Sequence, residues 1–199
     1  MPLSKLAARK YEAASQFVKT VPSLEAITKN LALAQKRFLR VANSISSEQW
    51  NSRPREGLWS AAELVCHLII VERAIILNAD KLLQRPPKPL PFFKQLHLPM
   101  ALVESRFIRR KTPIPLDPTL LCEKETMLAQ LREVRERTFI FIEETSGKNL
   151  KKYHMPHPFL GTLNTYEWFQ MIASHELRHA KQMKEISLAL PKTVATLHK

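Results

Sequence analysis

Glycine is nearly absent from this chain, and its scarcity restricts the folds that the chain can adopt. Only three glycines occur among 199 residues. Hairpins usually rely on glycine or Asn-Gly at turn positions with positive φ. Ala, Leu, Lys, Glu, Arg and Gln, which are abundant here, favour helices. Fourteen prolines mark the loops, chiefly in 86–118. We therefore predict an all-α fold.

Apolar residues recur at spacings of three and four in four stretches, which predicts the helices of a four-helix bundle. The first helix is expected to open at residues 21–23, with Pro22 in its first turn, and to end near Asn43. The second opens at Ser60, where the S-x-x-E pattern with Glu63 predicts a capping box. Both helices present one apolar stripe to the core.

The third helix is expected to open at Asp117 and Pro118, an N-cap followed by a first-turn proline. Its charge-rich run 132–137 is expected to form a solvated face. The fourth helix opens with a second capping box, formed by Asn164 and Glu167.

These helices predict a single domain, 1–199, with a core of about 22–190. Residues 1–19 read as a short amphipathic N-terminal arm that packs on the bundle or lies on an anionic membrane. A basic, proline-rich insert, about 85–118, separates the second and third helices. Its segment 85–111 holds seven Lys or Arg residues and one acid. The insert is expected to cover a pocket, mediate dimer contacts or touch a membrane.

Basic residues outnumber acidic ones by 31 to 18, a formal net charge of +13. A positive surface attracts nucleic acid, acidic lipid or an anionic small substrate, although the same excess can serve solubility alone. The two cysteines, Cys66 and Cys122, show no C-x-x-C spacing, which indicates a reducing compartment. Without a signal peptide or an 18-residue apolar run, the sequence predicts a soluble cytoplasmic protein.

Two histidines four residues apart, in the H-E-L-R-H of 175–179, define the candidate site. Residues at this spacing lie on one helix face about 5–6 Å apart at Cβ, so His175 and His179 can share one metal ion. His67, in the apolar run of the second helix, has the same core-facing phase. A hydrogen-bonded core histidine is its alternative. Two inward histidines are hard to satisfy in an apolar core without a metal, because unpaired buried ring nitrogens cost free energy.

Three neutral nitrogen ligands suit zinc, nickel, cobalt or iron(II) and leave coordination positions for water or substrate. Such a metal lowers the pKa of a water or thiol that it binds, which provides a nucleophile near neutral pH. This pattern identifies no catalytic side chain.

A literal H-E-x-x-H also occurs in zinc peptidases, whose intervening glutamate, here Glu176, is the general base. Their third ligand lies downstream, where this chain offers Glu185 on the same helix and His198 in the tail. For Glu176 the alternative is a solvated side chain beside Arg178.

Two segments resemble the signatures of the DinB/YfiT-like superfamily. Residues 58–74, LWSAAELVCHLIIVERA, are similar to the first signature, a Trp-Ser pair before a helix with one histidine. Residues 157–183, HPFLGTLNTYEWFQMIASHELRHAKQM, are similar to the second, in which a loop ending in glycine leads into Glu-Trp, H-x-x-x-H and glutamine. With the helices between them, the resemblance covers most of 22–190.

The resemblance implies a DinB-like four-helix bundle with a divalent metal held by His67, His175 and His179 near one end, often in a homodimer. Members of the superfamily are described as metal-dependent enzymes. Some branches act on low-molecular-weight thiols, as in bacillithiol-dependent S-transferases and mycothiol-dependent maleylpyruvate isomerase, and others are called hydrolases. The insert and the N-terminal arm depart from the family pattern.

Neighbouring residues also receive candidate roles. Glu63, one turn before His67, and Gln182, three residues after His179, can hold ligand rings by hydrogen bonds. A helix cap and a surface amide are their respective alternatives. His157 is a candidate for the border of the pocket or for a structural role in its loop.

We therefore predict a metal-dependent enzyme in which zinc or nickel, with iron as the alternative, activates a thiol or water against a small molecule. The predicted reaction classes are thiol-dependent S-transfer, with a low-molecular-weight thiol as cofactor, and hydrolysis. The predicted substrate is a small molecule, anionic if the basic residues bind it, and the predicted assembly is a homodimer. The alternative function is a non-catalytic basic helical module that binds nucleic acid or acidic membranes.

Overall fold

The structure is a computed structural model and describes residues 23–91, 103, 116, 119 and 121–191. Most of these residues lie in four long helices: α1 (Leu24–Asn43), α2 (Ala61–Leu83), α3 (Lys124–Glu144) and α4 (Thr165–Ala189). Between α3 and α4 lie a 3-10 helix (Leu150–Lys152) and two short strands, β1 (His154–His157) and β2 (Gly161–Asn164). The predicted helical bundle is confirmed. The N-terminal arm and most of the insert lie outside the described residues.

Two clusters of buried apolar residues show how the helices run. One cluster combines the C-terminal halves of α1 and α4 with the N-terminal halves of α2 and α3, and the other combines the opposite halves. Hence α1 and α4 run in one direction and α2 and α3 in the other. Ser44, just after α1, accordingly lies 3.3 Å from Ser187 near the end of α4, measured between their Oγ atoms. None of the helices in the described part combines the length and apolarity needed to cross a bilayer.

The parallel run of α2 and α3 accounts for the long segment between them. A helix of 23 residues, such as α2, is about 34 Å long at 1.5 Å per residue. The chain must return along that length before α3 can start, so residues 84–123 cannot be a short turn. The insert predicted from the sequence thus has a topological reason.

Both predicted capping boxes are present. The Ser60 Oγ accepts from the Glu63 amide at 3.2 Å, and the Glu63 carboxylate accepts from the Ser60 amide at 2.8 Å. Asn164 and Glu167 repeat the pattern at 3.1 and 2.9 Å. These bonds satisfy amides that the start of a helix leaves unpaired. They define the beginnings of α2 and α4, the two helices that carry the candidate ligands.

The first helix begins directly after the predicted opening at residues 21–23. Ser23 is the N-cap of α1, and its Oγ accepts a hydrogen bond from the Ala26 amide at 3.2 Å. The helix starts at Leu24, and Pro22, which was predicted for its first turn, lies outside the described residues. The predicted end at Asn43 is confirmed.

The third helix begins later than predicted. Residues 121–123 are not helical and α3 starts at Lys124, so the predicted start at Asp117 and Pro118 is wrong. Lys124 is buried, and its Nζ donates to the carbonyl oxygens of Asn43 and Ile45 at 3.2 and 2.7 Å. This contact with the end of α1 holds the start of α3 in place.

Residues 153–161 were expected to form a loop, but most of them lie in an antiparallel hairpin that spans 154–164. His157 pairs with Gly161, whose φ of 98° is readily accessible only to glycine. The Nδ1 of His157 accepts from the amides of Phe159 and Leu160, both at 3.1 Å, and so closes the turn. Two prolines within this stretch obscure the strand pattern, because proline cannot donate to a sheet ladder.

Candidate metal centre

Three histidine rings converge in the interior of the bundle. The Nε2 of His175 lies 3.3 Å from the Nε2 of His67 and 3.1 Å from the Nε2 of His179. The ligand atoms of all three lie within 4.8 Å of one another. The α4 helix supplies two rings one turn apart, and α2 supplies the third from a position 108 residues earlier than His175. The convergence predicted from the sequence is therefore present.

The separations between the ring nitrogens suit a cation. Zinc binds imidazole nitrogen at about 2.0–2.1 Å, so two nitrogen ligands at a tetrahedral angle lie about 3.3 Å apart. The observed 3.1 and 3.3 Å are close to this value. Nitrogen donors are also the ligands that zinc, nickel and iron(II) accept readily. The residues present thus fit a divalent metal.

Burial keeps the three rings neutral. It lowers the pKa of His67 to about 4 and is the main cause that lowers the pKa of His175 to about 3. The pKa of His179 lies well below its ordinary value, again chiefly through burial and then through the charge of His175. A neutral ring offers a lone pair to a cation. The trio therefore needs to lose no proton at neutral pH before it binds a metal.

Gln182 orients the ring of His179. Its Oε1 lies 2.9 Å from the His179 Nδ1. Because an amide oxygen can only accept, Nδ1 carries the ring proton and Nε2 presents its lone pair to the centre of the trio. Gln182 is thus positioned to hold the ring of His179.

Glu63 does not contact the ligand ring that it was expected to hold. Its carboxylate accepts from the Ser60 amide and from the guanidinium of Arg53, with Nε at 3.0 Å from Oε2. Although burial opposes ionisation, these bonds lower the pKa of Glu63. The Nδ1 of His67 is buried without a hydrogen-bond partner in the described chain, and its ring packs on Trp59 at a centroid distance of 5.1 Å. Glu63 therefore acts as a cap, and Trp59 supports the His67 ring.

His157 lies in the turn of the hairpin and outside the trio. Its ring packs against Trp168 at a centroid distance of 5.2 Å. Trp168 precedes His175 by seven residues, about two helical turns on the same face. His157 is close enough that its charge contributes, after burial, His67 and Arg178, to the low pKa of His175. It flanks the centre while its Nδ1 closes the turn.

A buried ion cluster adjoins the trio and was not predicted from the sequence. Arg135 of α3 donates from Nε and Nη2 to the two carboxylate oxygens of Glu72 on α2, at 2.8 and 2.9 Å. Its Nη2 also donates to Oε2 of Glu176 on α4 at 2.9 Å, and its Nη1 to the carbonyl oxygen of Leu31 on α1 at 2.6 Å. Arg135, Glu72 and Glu176 are only 1, 4 and 1 % exposed. The expectation of solvated side chains is therefore wrong for both Arg135 and Glu176.

The charges in this cluster perturb one another. Although burial opposes the charge on Arg135, the carboxylates of Glu72 and Glu176 raise its pKa further above the ordinary value. Burial raises the pKa of Glu176 to about 7; the positive charge of Arg135 opposes the rise, and the charge of Glu72 adds to it. The Oε1 of Glu176 is buried without a hydrogen-bond partner in the described chain.

The positions of the charged residues relative to the apolar stripe of each helix could have indicated this cluster. Each charged residue of the cluster lies four residues, about one helical turn, after an apolar residue of its own helix. These apolar residues are Leu131 before Arg135, Leu68 before Glu72 and Ile172 before Glu176. Each of the three apolar residues is buried. A charged residue in the phase of the core stripe indicates a buried partner of opposite charge. The sequence prediction treated the charged run 132–137 as one solvated face. It therefore missed that Arg135 is buried while the other charged residues of the run are exposed.

Comparison with known proteins identifies similar chains. Residues 30–183 match the sequence profile of the DinB superfamily. The chain is 30% identical over 143 residues, which are 71% of this chain and 85% of the relative, to the uncharacterized protein YuaE of Bacillus subtilis (strain 168). Its fold is similar to that of YfiT from Bacillus subtilis, described as "a probable metal-dependent hydrolase with an unusual four-helix bundle topology". The TM-score is 0.58 at 14% identity, over 83% of this chain and 86% of that one. At this identity the likeness to YfiT shows the fold alone.

Proposed function

This chain belongs to the DinB superfamily, as its sequence motifs predicted, and we propose that it is a metal-dependent enzyme whose divalent cation is held by His67, His175 and His179. The observation that carries the proposal is the approach of three neutral Nε2 atoms, with separations of 3.3 and 3.1 Å from the central one. Two buried neutral rings can share one proton in a hydrogen bond. Three converging Nε2 atoms cannot all be satisfied in that way, whereas one cation satisfies them together.

A divalent cation at such a site supplies Lewis acidity and lowers the pKa of a water or thiol that it binds. The chain's own residues prepare the site. Burial holds the rings unprotonated, Gln182 fixes the tautomer of His179, and Trp59 limits the rotation of His67. Three protein ligands leave a coordination position for a further ligand.

The reaction classes that we propose are hydrolysis and transfer to a thiol. Both need a nucleophile near neutral pH, which this ligand set supports, and the description of YfiT as a hydrolase supports the first. We propose zinc or nickel as the cation, with iron as the alternative, because imidazole nitrogen suits these metals. The net charge of +13 favours an anionic small-molecule substrate. A low-molecular-weight thiol as cofactor, the homodimer and the cytoplasmic location stay predictions.

Two alternatives receive less support. In the peptidase mechanism the glutamate of H-E-x-x-H acts as a general base towards the metal site. Here the Oε2 of Glu176 is in an ion pair with Arg135 inside the bundle, which argues against that role. A non-catalytic basic module for nucleic acid or acidic membranes stays a prediction, because its most basic segment, 85–111, lies largely outside the described residues.

Activity assays test the proposal with protein in two states, metal-loaded and chelator-treated. The substrates are simple esters and amides, and an electrophile offered together with low-molecular-weight thiols. We expect turnover with the loaded wild type, loss of turnover with chelator and with His175→Ala, and retention in His154→Gln, a matched histidine variant outside the trio. Turnover that survives both chelator and His175→Ala would contradict the proposal, as would full metal occupancy without turnover on any of these substrates.

A further inference from the structure

The Arg135 cluster, which consists of Arg135, Glu72, Glu176 and Thr138, joins all four helices through a single guanidinium. Arg135 extends from α3 and bonds to one residue on each of α1, α2 and α4. Thr138, one turn further along α3, adds a hydrogen bond from its Oγ1 to Glu72 at 2.7 Å. The helices pack mainly as two pairs, α1 with α4 and α2 with α3. The cluster therefore ties one pair to the other.

The cluster lies directly beside the candidate ligands. Glu72 follows His67 by five residues on α2, and Glu176 follows His175 on α4. Glu72, Glu176 and His175 line one small cavity of about 10 Å³, together with apolar residues of α2 and α4. That volume is about enough for a single water molecule. Each carboxylate therefore lies within one or two helical turns of a candidate ligand ring.

Stability alone does not explain a cluster of this kind. Burying three charges costs desolvation free energy, and apolar residues of similar volume often replace such clusters at no loss of stability. A planar guanidinium that holds a carboxylate through two bonds fixes direction as well as distance. Because His67 lies on α2 while His175 and His179 lie on α4, the trio depends on how these two helices are set against each other.

We propose that Arg135 is a positioning residue for the metal centre. By clamping Glu72 and Glu176 it fixes α2 against α4, and so sets the separation between the Nε2 of His67 and those of His175 and His179. The inference rests on the proposed function, since it assigns Arg135 a task only if the trio binds a metal.

Titration of the tag-free, metal-free full chain with Co²⁺ tests the proposal. The affinity comes from the titration, and the intensity of the visible absorption bands reports the coordination geometry. Arg135→Lys keeps the positive charge but replaces the planar, two-bond grip on the Glu72 carboxylate by a point charge on a flexible stem. We expect it to bind Co²⁺ at least about tenfold more weakly than the wild type, with altered band intensities, a loss typical of residues that support ligands. Leu150→Ala is the matched control, because it removes a fully buried side chain outside the four helices.

A second variant distinguishes a loss of metal affinity from a failure to fold. The triple change Arg135→Leu, Glu72→Met and Glu176→Met leaves no charge in the cluster, and we expect it to fold cooperatively while its Co²⁺ affinity still falls at least about tenfold. Wild-type affinity and spectrum in either folded variant would overturn the inference. So would an equal loss of affinity in Leu150→Ala, because the effect would then follow stability alone. A wild type that binds no Co²⁺ would overturn the proposed function, and this inference with it.

Discussion

Acidification should destabilise the metal-free protein through His67. In the unfolded chain a histidine titrates near its ordinary value of 6.5, whereas burial lowers the folded pKa of His67 to about 4. Between these values the unfolded state binds more protons, so the free energy of unfolding falls as the pH falls. The loss begins near the unfolded pKa and is complete below the folded one. A difference of about 2.5 pKa units, at about 1.36 kcal/mol per unit, gives about 3 kcal/mol from this residue alone.

Urea unfolding in the presence of chelator measures this effect at several pH values between about 7 and 4. The matched control is His67→Gln, since glutamine does not titrate and all other ionisable groups are common to both proteins. We expect the wild type to lose about 3 kcal/mol more than the variant over this range. Parallel pH dependences would refute the conclusion that His67 is buried as a neutral ring.

Three substitutions separate the roles assigned to individual side chains. Gln182→Ala should weaken Zn²⁺ binding by roughly 10- to 100-fold in calorimetry, because the His179 Nδ1 loses its acceptor; an unchanged Kd would contradict this role. Glu63→Ala should lower the urea-unfolding free energy by about 1 kcal/mol, because the Ser60 amide loses its capping-box acceptor, but leave that Kd unchanged; a shifted Kd would restore the orienting role first considered for it. Lys124→Met should cost about 1–3 kcal/mol in the same unfolding assay, because the carbonyls of Asn43 and Ile45 lose their buried donor; wild-type stability would show that this contact is dispensable.

Local sequence patterns predicted the start of a helix correctly where contacts between residues close in sequence determine that start. The starts of α2 and α4 follow from the Ser60–Glu63 and Asn164–Glu167 capping boxes, whose partners lie three residues apart. The start of α3 depends instead on Lys124 reaching carbonyl groups about eighty residues earlier, as the separations of 81 and 79 positions show. No local pattern reports such a contact.

The candidate site was likewise predictable only in the parts that depend on spacing within one helix. Helical spacing predicted that His175 and His179 share a face. The core-facing phase of His67 made it the candidate third ligand, and the family resemblance implied the same set of three. For the Arg135 cluster, the phase of each helix indicates that its charged residues are buried. Spacing within one helix does not say which charges pair, because the partners lie on three different helices. The sequence left Glu63 with two candidate roles, ligand support and helix capping. In the structure its Oε2 accepts from the Ser60 amide, and its two oxygens contact the guanidinium of Arg53.

Elemental analysis of protein purified without a metal-affinity tag tests the central claim most directly, with His67→Ala analysed beside it. Three converging neutral ligands predict about one divalent metal ion per wild-type chain and a clear loss in the variant, because two imidazoles hold a cation more weakly than three. A wild type without bound metal, or a His67→Ala variant that retains the full amount, would contradict the account.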